Sequence, residues 1–227
     1  MKESKNNIII AIDGPAGSGK STTAKEVAKR LQILHLDTGA MYRAITLKCL
    51  RKNISYKDEE KISTMLKDTN ISFDGDIDNM KIFLDGEDVT TQIRSDEVTK
   101  NVSDYCAIPI VRQMLVNLQR KIAMGRSVVC EGRDIGTVVF PDAQLKFFMT
   151  ASAEERAKRR AKDFEKLGIK KEISELIKEI NERDRKDSSR KNSPLCKAKD
   201  AEEIDTTNMS FEQQVEYIVN KAKNIMF

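Results

Sequence analysis

The sequence predicts an α/β protein built on a parallel sheet, and three observations carry that prediction. A short β-branched apolar run, Asn7 to Ile12, is followed at once by a Gly-rich turn and a helical pattern. Short strand candidates then alternate with helical patterns along the chain, as parallel crossovers require. One stretch, between Asn70 and Val89, breaks that rhythm with period two and announces a small antiparallel sheet.

The elements follow in order. Asn7 to Ile12 reads as a strand buried on both faces. Ala24, Val27, Ala28 and Leu31 recur at helical spacing and lead into a second strand, Ile33 to Leu36, which closes a βαβ unit. Three more strands are expected at Ser127 to Cys130, Gln144 to Met149 and Glu203 to Thr206. Helical patterns separate them, with Val111, Met114, Leu115, Leu118 and Ile122 on one face. Within the period-two stretch, Ile71 and Phe73, then Ile82 and Leu84, mark the alternation, and Asp74-Gly75 and Asp85-Gly86 supply turn chemistry. The insertion falls between the second and third strands of the main sheet, with boundaries near Asp68 and Gln92. From Glu154 to Lys191, 24 of 38 residues are charged, the composition of a solvated pair of helices. Ile173, Leu176, Ile177 and Ile180 nonetheless trace one apolar stripe, and its continuation lands on Arg183, Asp184 and Asp187. A helix whose face turns from aliphatic to charged packs on protein at one end and meets a polar cleft at the other.

Composition bounds the function. The chain has 227 residues, with Lys+Arg 40 against Asp+Glu 36, a net charge of +4. That balance, with no Trp and only 5% aromatic residues, speaks against a nucleic-acid binder. The longest apolar run ends at Asp13, so neither a membrane span nor a signal peptide is expected. Cys49, Cys106, Cys130 and Cys196 form no CxxC pair and read as the reduced thiols of a cytoplasmic protein. The single histidine, His35, lies between Leu34 and Leu36 and reads as a residue of the second strand. It cannot by itself make a His-rich zinc site.

The strongest motif is Gly14-Pro15-Ala16-Gly17-Ser18-Gly19-Lys20-Ser21, which fits G-x-x-x-x-G-K-[ST] and is followed by Thr22. Its glycines let backbone N–H groups turn inward around a phosphate, and the helix that follows presents its positive end to the same anion. Lys20 can reach the outer phosphates and the Ser21 hydroxyl can ligate Mg²⁺. A nucleoside triphosphate is therefore expected to bind. No N-K-x-D guanine-reading string occurs. Arginines in motif-like settings away from this loop point instead to a phosphotransferase with a second, phosphorylated substrate, because a forked guanidinium matches phosphate.

Two further runs carry a resemblance. Leu36-Asp37-Thr38-Gly39-Ala40-Met41-Tyr42-Arg43 and Glu131-Gly132-Arg133-Asp134-Ile135-Gly136-Thr137-Val138-Val139-Phe140-Pro141-Asp142 closely resemble the bacterial cytidylate kinases. The likeness covers essentially the whole chain and extends through Ile93-Arg94-Ser95, Val111-Arg112 and Glu182-Arg183-Asp184. It implies a P-loop nucleoside monophosphate kinase: a five-stranded parallel core, a three-stranded monophosphate-binding insertion and a mobile helical lid. The core would take residues 1–67, 92–153 and 192–227, the insertion 68–91 and the lid 154–191.

The resemblance implies site residues as well. Arg43 and Arg133 grip the acceptor phosphate, and Thr38 belongs to the CMP site. Ser103 and Asp134 face the cytosine amino group, while Arg112 faces the ring nitrogen and carbonyl. Uracil would set its O4 acceptor against the Asp134 carboxylate. Ser103 otherwise reads as a serine on a polar helix face. Arg183, Asp187 and Arg190 hold sugar hydroxyls and help enclose the phosphates. Arg156, Arg159 and Arg160 share a helix face. Some of them, Arg159 for the ATP site, close over the transferring phosphoryl from the lid side, with one or two of the three solvated. Glu131, at the end of the third core strand, joins Ser21 as the Mg²⁺ site. Asp13 and Asp37 are expected to contribute or to tether loops. The expected reaction transfers the γ-phosphoryl of ATP to CMP or dCMP in pyrimidine metabolism, with Lys20, Arg133, Arg183 and Arg190 as catalytic residues, in a monomer without nucleic-acid or membrane partners.

Overall fold

The computed structural model describes residues 7–165, 168 and 170–226. In chain order the elements are β1 (Ile9–Asp13), α1 (Lys20–Leu31), β2 (Leu34–Asp37), α2 (Thr38–Arg51) and α3 (Glu59–Lys67). Then come β3 (Ile71–Asp74), β4 (Lys81–Leu84), β5 (Glu87–Asp88), α4 (Asp96–Cys106) and α5 (Pro109–Ala123). The chain ends with β6 (Val128–Gly132), β7 (Leu145–Thr150), α6 (Ala153–Glu165), α7 (Ile173–Ser188), β8 (Glu202–Asp205) and α8 (Phe211–Met226). Two compact units result: residues up to Leu36 together with those from Gly125 onward, and Asp37–Met124.

The first unit is built on a five-stranded parallel sheet of order β2-β6-β1-β7-β8. β1 pairs in parallel with β6 on one side and β7 on the other, and β7 pairs with β8. Central strands lie between helices on both faces, which is why Ile10, Ala11, Ile12, Val128, Val129, Cys130 and Phe147 are all buried. All five expected strands are present, each displaced by one or two residues. The last shifts back to Glu202–Asp205, and Thr206 leaves the strand to donate its N–H to the Thr150 carbonyl at 2.8 Å. α1 buries Ala24, Val27 and Ala28. It is tied to α8 by Thr23 Oγ1 on Gln214 Oε1 and by a two-pronged Arg30–Glu212 pair.

The expected apolar stripe is what joins α6 to α7. Ala157, Leu176 and Ile180 are buried, with Ala161, Phe164, Ile173 and Ile177 packed around them. Beyond Ile180 the same face turns charged, as its spacing implied. No described helix is long and apolar enough to cross a membrane. All four cysteines are free thiols, three of them buried.

The second unit holds helices α2 to α5 and the antiparallel sheet β3-β4-β5. Ile71 faces Leu84 and Phe73 faces Ile82 across β3 and β4. Asp85 and Gly86 both take positive φ, 52° and 88°, the geometry of a tight hairpin with right-handed twist. Asp74-Gly75 does something different from a two-residue hairpin. Gly75 opens a longer connection through residues 75–80, and a Cβ there would sit 2.5 Å from the Asn79 carbonyl oxygen. Lys48, buried in α2, donates to the Asp68 carbonyl at 2.8 Å and pairs with Asp85 at 2.5 Å, holding the sheet's entry and its hairpin to one helix.

Candidate active site

The phosphate loop follows from β1. Its glycines adopt φ of 150° (Gly14), 79° (Gly17) and 91° (Gly19), values costly for any residue with a Cβ. At Gly14 a Cβ would fall 2.1 Å from the Met149 carbonyl oxygen, so the loop lies against β7 with no room for a side chain. Gly19, in the left-handed region, is the residue preceding the first turn of α1 and caps it with no side chain. That leaves the helix's N–H groups for an anion. Lys20 is buried and donates from Nζ to the Pro15 carbonyl at 3.2 Å, while Thr22 Oγ1 donates to the Gly19 carbonyl.

Glu131, next to last in β6, lies beside the loop. Its Oε2 accepts the Ser21 hydroxyl at 2.5 Å, and its Oε1 lies 3.3 Å from His35 Nε2. Burial pushes this carboxyl upward, but the His35 contact, the nearby Lys20 charge and the Ser21 hydroxyl outweigh it and hold it below the usual glutamate range. An ionised carboxylate and a hydroxyl are hard oxygen donors. Mg²⁺ takes one or two such protein ligands beside phosphate and water, so the pair present fits the cation.

Asp13, the last residue of β1, is buried. Its Oδ1 and Oδ2 accept the Ile135 and Gly136 amides, each at 2.8 Å. Those amides open a π-helical turn, Ile135–Val139, whose later N–H groups (Val138, Val139) fold back onto the Asp134 carbonyl. Asp13 thus tethers the Arg133-Asp134 loop to the strand that carries the phosphate loop. Burial lifts the Asp13 carboxyl to about 6, although both amide bonds pull it down. The folded chain therefore holds this proton more tightly than the unfolded chain does. The resulting stability is complete below about pH 4 and is lost as pH rises through about pH 6. Urea unfolding should show wild type losing stability over that interval relative to Asp13→Asn, which cannot titrate. Parallel curves for the two proteins would contradict this assignment.

Downstream, one carboxylate gathers three arginines. Asp187, on α7, is almost wholly buried. It accepts Arg133 Nε at 3.0 Å and Arg190 Nη2, and lies 3.9 Å from Arg183 Nε. Burial raises its carboxyl, but the charges of Arg133, Arg190 and Arg183 prevail and hold it below the usual aspartate range. Three guanidiniums on one carboxylate leave a local excess of positive charge, an arrangement suited to a second phosphate. One turn earlier on α7, Asp184 pairs with Arg156 at 2.5 Å. Arg156 also donates to the Ala16 carbonyl of the phosphate loop at 3.2 Å. A single helical turn therefore braces the phosphate loop and organises the arginine cluster.

Of Arg156, Arg159 and Arg160, the first is buried, the other two are half-buried, and all three have protein partners. Arg156 is buried behind the phosphate loop. Arg159 pairs with Glu155 and donates to Thr206 Oγ1 at 3.0 Å and the Thr206 carbonyl at 2.7 Å. Its Nη1 lies 3.3 Å from where a Gly19 Cβ would be, beside the start of α1. Arg160 pairs with Glu179 and lies over the Phe164 ring, 5.5 Å from its centre. Charge density suggested solvation, and long-range partners decided otherwise.

The second unit brings together its own share of the predicted residues. Asp37 caps α2 by accepting the Ala40 amide at 2.9 Å, and Thr38 is buried at the helix start. Arg43 donates to the Ile93 carbonyl and to Thr99 Oγ1 at 2.8 Å. Arg112, buried on α5, donates to the Cys106 carbonyl at 3.2 Å and lies over the Tyr42 ring, 5.4 Å from its centre. Ser103 is buried on α4 rather than set on a polar face. A serine and an arginine buried in one helical unit are what recognition of a polar base asks for.

Residues missed by sequence reasoning are the braces: His35, Asp184 as the partner of Arg156, and Thr206, whose Oγ1 donates to the Ser18 carbonyl at 3.0 Å. Only the placement of Asp184 on the charged continuation of the α7 stripe offered a signal.

The chain is similar to known proteins. A cytidylate kinase from Caldanaerobacter subterraneus subsp. tengcongensis is 54% identical over 209 residues, 92% of each chain. One from Fusobacterium nucleatum is 49% identical over 220 residues, 97% of this chain and 99% of that one. Among solved structures, an uncharacterized protein from Eubacterium ventriosum superposes with a TM-score of 0.51 at 16% identity, over 96% of this chain and 99% of that one, a likeness of fold alone. The family profile described as cytidylate kinase matches residues 10–224. With that span and that identity, the chain belongs to the cytidylate kinase family.

Proposed function

We infer that this chain transfers the γ-phosphoryl group of ATP to CMP or dCMP, giving ADP with CDP or dCDP. One observation carries the reading. The same turn of α7 that braces the phosphate loop through Arg156 also holds Arg133, Arg183 and Arg190 on Asp187. Two anion sites fixed by one rigid element suit a reaction between two polyanions.

The assignments follow from the chemistry of the groups. The loop amides, with residues 14–22, take the donor's phosphates, and Lys20 exchanges its Pro15 carbonyl for their outer oxygens. Arg159, beside Gly19, serves the ATP side. Thr38, Arg43, Ser103, Arg112, Arg133, Asp134, Asp187 and Arg190 are assigned to CMP. Asp134 accepts from the cytosine amino group, and Arg112 donates to the ring nitrogen and carbonyl. Ser21 and Glu131 would hold Mg²⁺, which supplies charge neutralisation on the donor phosphates. The attacking oxygen belongs to a phosphate monoester already anionic near neutral pH, so no strong general base is needed. What the chain must supply is alignment and stabilisation of charge on the transferred phosphoryl, and this reading assigns that to Lys20, Arg133, Arg183 and Arg190. A monomer in the cytoplasm, acting on small molecules alone, belongs to the same reading.

The test is a coupled assay of ADP formation across nucleoside monophosphates. CMP and dCMP should turn over, while UMP, AMP and GMP lag by ~10²-fold or more. ATP consumed at the same rate without any acceptor would contradict the reading.

A further inference from the structure

His35 is the chain's only histidine, and no role assigned so far uses it. It stands on β2, next to β6 in the sheet, where an apolar or β-branched residue would pack at lower cost. Its side chain is only 12% exposed and its Nε2 lies 3.3 Å from Glu131 Oε1. An ionised carboxylate only accepts, so Nε2 carries the proton in this contact. Glutamate has one more rotatable bond than aspartate, and at the end of β6 that freedom must be restrained if one oxygen is to stay on the Ser21 hydroxyl. Ser21 fixes Oε2 alone. His35 fixes the other oxygen, so together they leave the carboxylate a single orientation.

We propose that His35 is a positioning residue for the cation site. It pins Glu131 Oε1, so that Oε2 and Ser21 Oγ form a preset pair of oxygens for the divalent cation that accompanies the triphosphate. This rests on the reading of Ser21 and Glu131 as that site. Outer partners that orient a ligand typically change metal affinity by about 10–100-fold when removed.

The test uses the full-length chain and two readouts. Because there is one histidine, a long-range ¹H–¹⁵N spectrum reports a single imidazole. It should show the Nε2-protonated tautomer, altered by Glu131→Gln, and shifting further with Mg·ATP than with ATP in the presence of a chelator. In steady-state assays, His35→Phe should raise the Mg²⁺ concentration for half-maximal rate by about 10-fold and leave the KM for CMP unchanged. His35→Gln, which retains a donor, should restore most of that loss. A protonated Nδ1 with Nε2 bare would overturn the proposal whatever the variants do. So would a His35→Phe protein with unaltered Mg²⁺ dependence, or one whose CMP and Mg²⁺ dependences deteriorate together as in a general structural defect. Ser21→Ala separates the two levels. If it also leaves the Mg²⁺ dependence unaltered, the cation site itself is wrong. If it weakens that dependence while His35→Phe does not, only the role of His35 fails.

Discussion

Lys20→Ala is expected to lower phosphoryl transfer by ~10³-fold or more, equivalent to about 4 kcal/mol of transition-state stabilisation. The lysine opens α1 with its ammonium folded onto the Pro15 carbonyl. It is the one cation that the phosphate loop itself supplies. Removing it leaves the loop's amides and the glycine geometry in place. Binding of ATP should weaken far less than turnover falls. The protein should stay folded, because the lost hydrogen bond to Pro15 is worth only about 1 kcal/mol. Single-turnover kinetics beside thermal unfolding separates the two effects. A Lys20→Ala protein with undiminished rate would remove the loop from the mechanism.

Asp134→Ala is expected to abolish discrimination between CMP and UMP rather than to disable the ATP site. Asp134 is buried, and its main-chain carbonyl accepts from Val138 and Val139. Truncating the carboxyl removes neither of those main-chain bonds. The cytosine amino group would lose its acceptor, and a polar group left unpaired in a buried site costs about 1–3 kcal/mol. On that scale kcat/KM for CMP should fall by ~10- to 100-fold. The rate with UMP should rise relative to it, since the repulsion between O4 and the carboxylate is gone. ATP binding measured by calorimetry should be retained. Unchanged CMP-over-UMP selectivity in this variant would refute the assignment.

How much of this was legible in the sequence depended on how local each feature is. The phosphate loop was fully readable, because the backbone twist at Gly14, Gly17 and Gly19, the lysine and the helix start all lie within nine consecutive residues. The antiparallel insertion was readable from period-two alternation and from Asp85-Gly86, while the Asp74-Gly75 pair misled as to connection length. The α7 stripe announced both its apolar contact with α6 and its charged end. What could not be read were pairings across sequence distance. Arg156 reaches Ala16 and Asp184, Arg159 reaches Thr206, and His35 reaches Glu131. A window of charge or hydropathy sees each residue's own neighbourhood, so it left one or two of the three α6 arginines in solvent without saying which, and the histidine in an ordinary strand. The burial of Ser103 was hidden for the opposite reason: a short polar side chain gives no sign of which helix face is covered.

The most direct measurement is a crystal structure of the protein with CMP and a non-hydrolysable ATP analogue. The account predicts the cytosine amino nitrogen within hydrogen-bond distance of the Asp134 carboxylate, Arg112 against the ring nitrogen and carbonyl, and the CMP phosphate aimed at the γ-phosphate above Lys20. A pyrimidine bound away from Asp134 and Arg112 would contradict it.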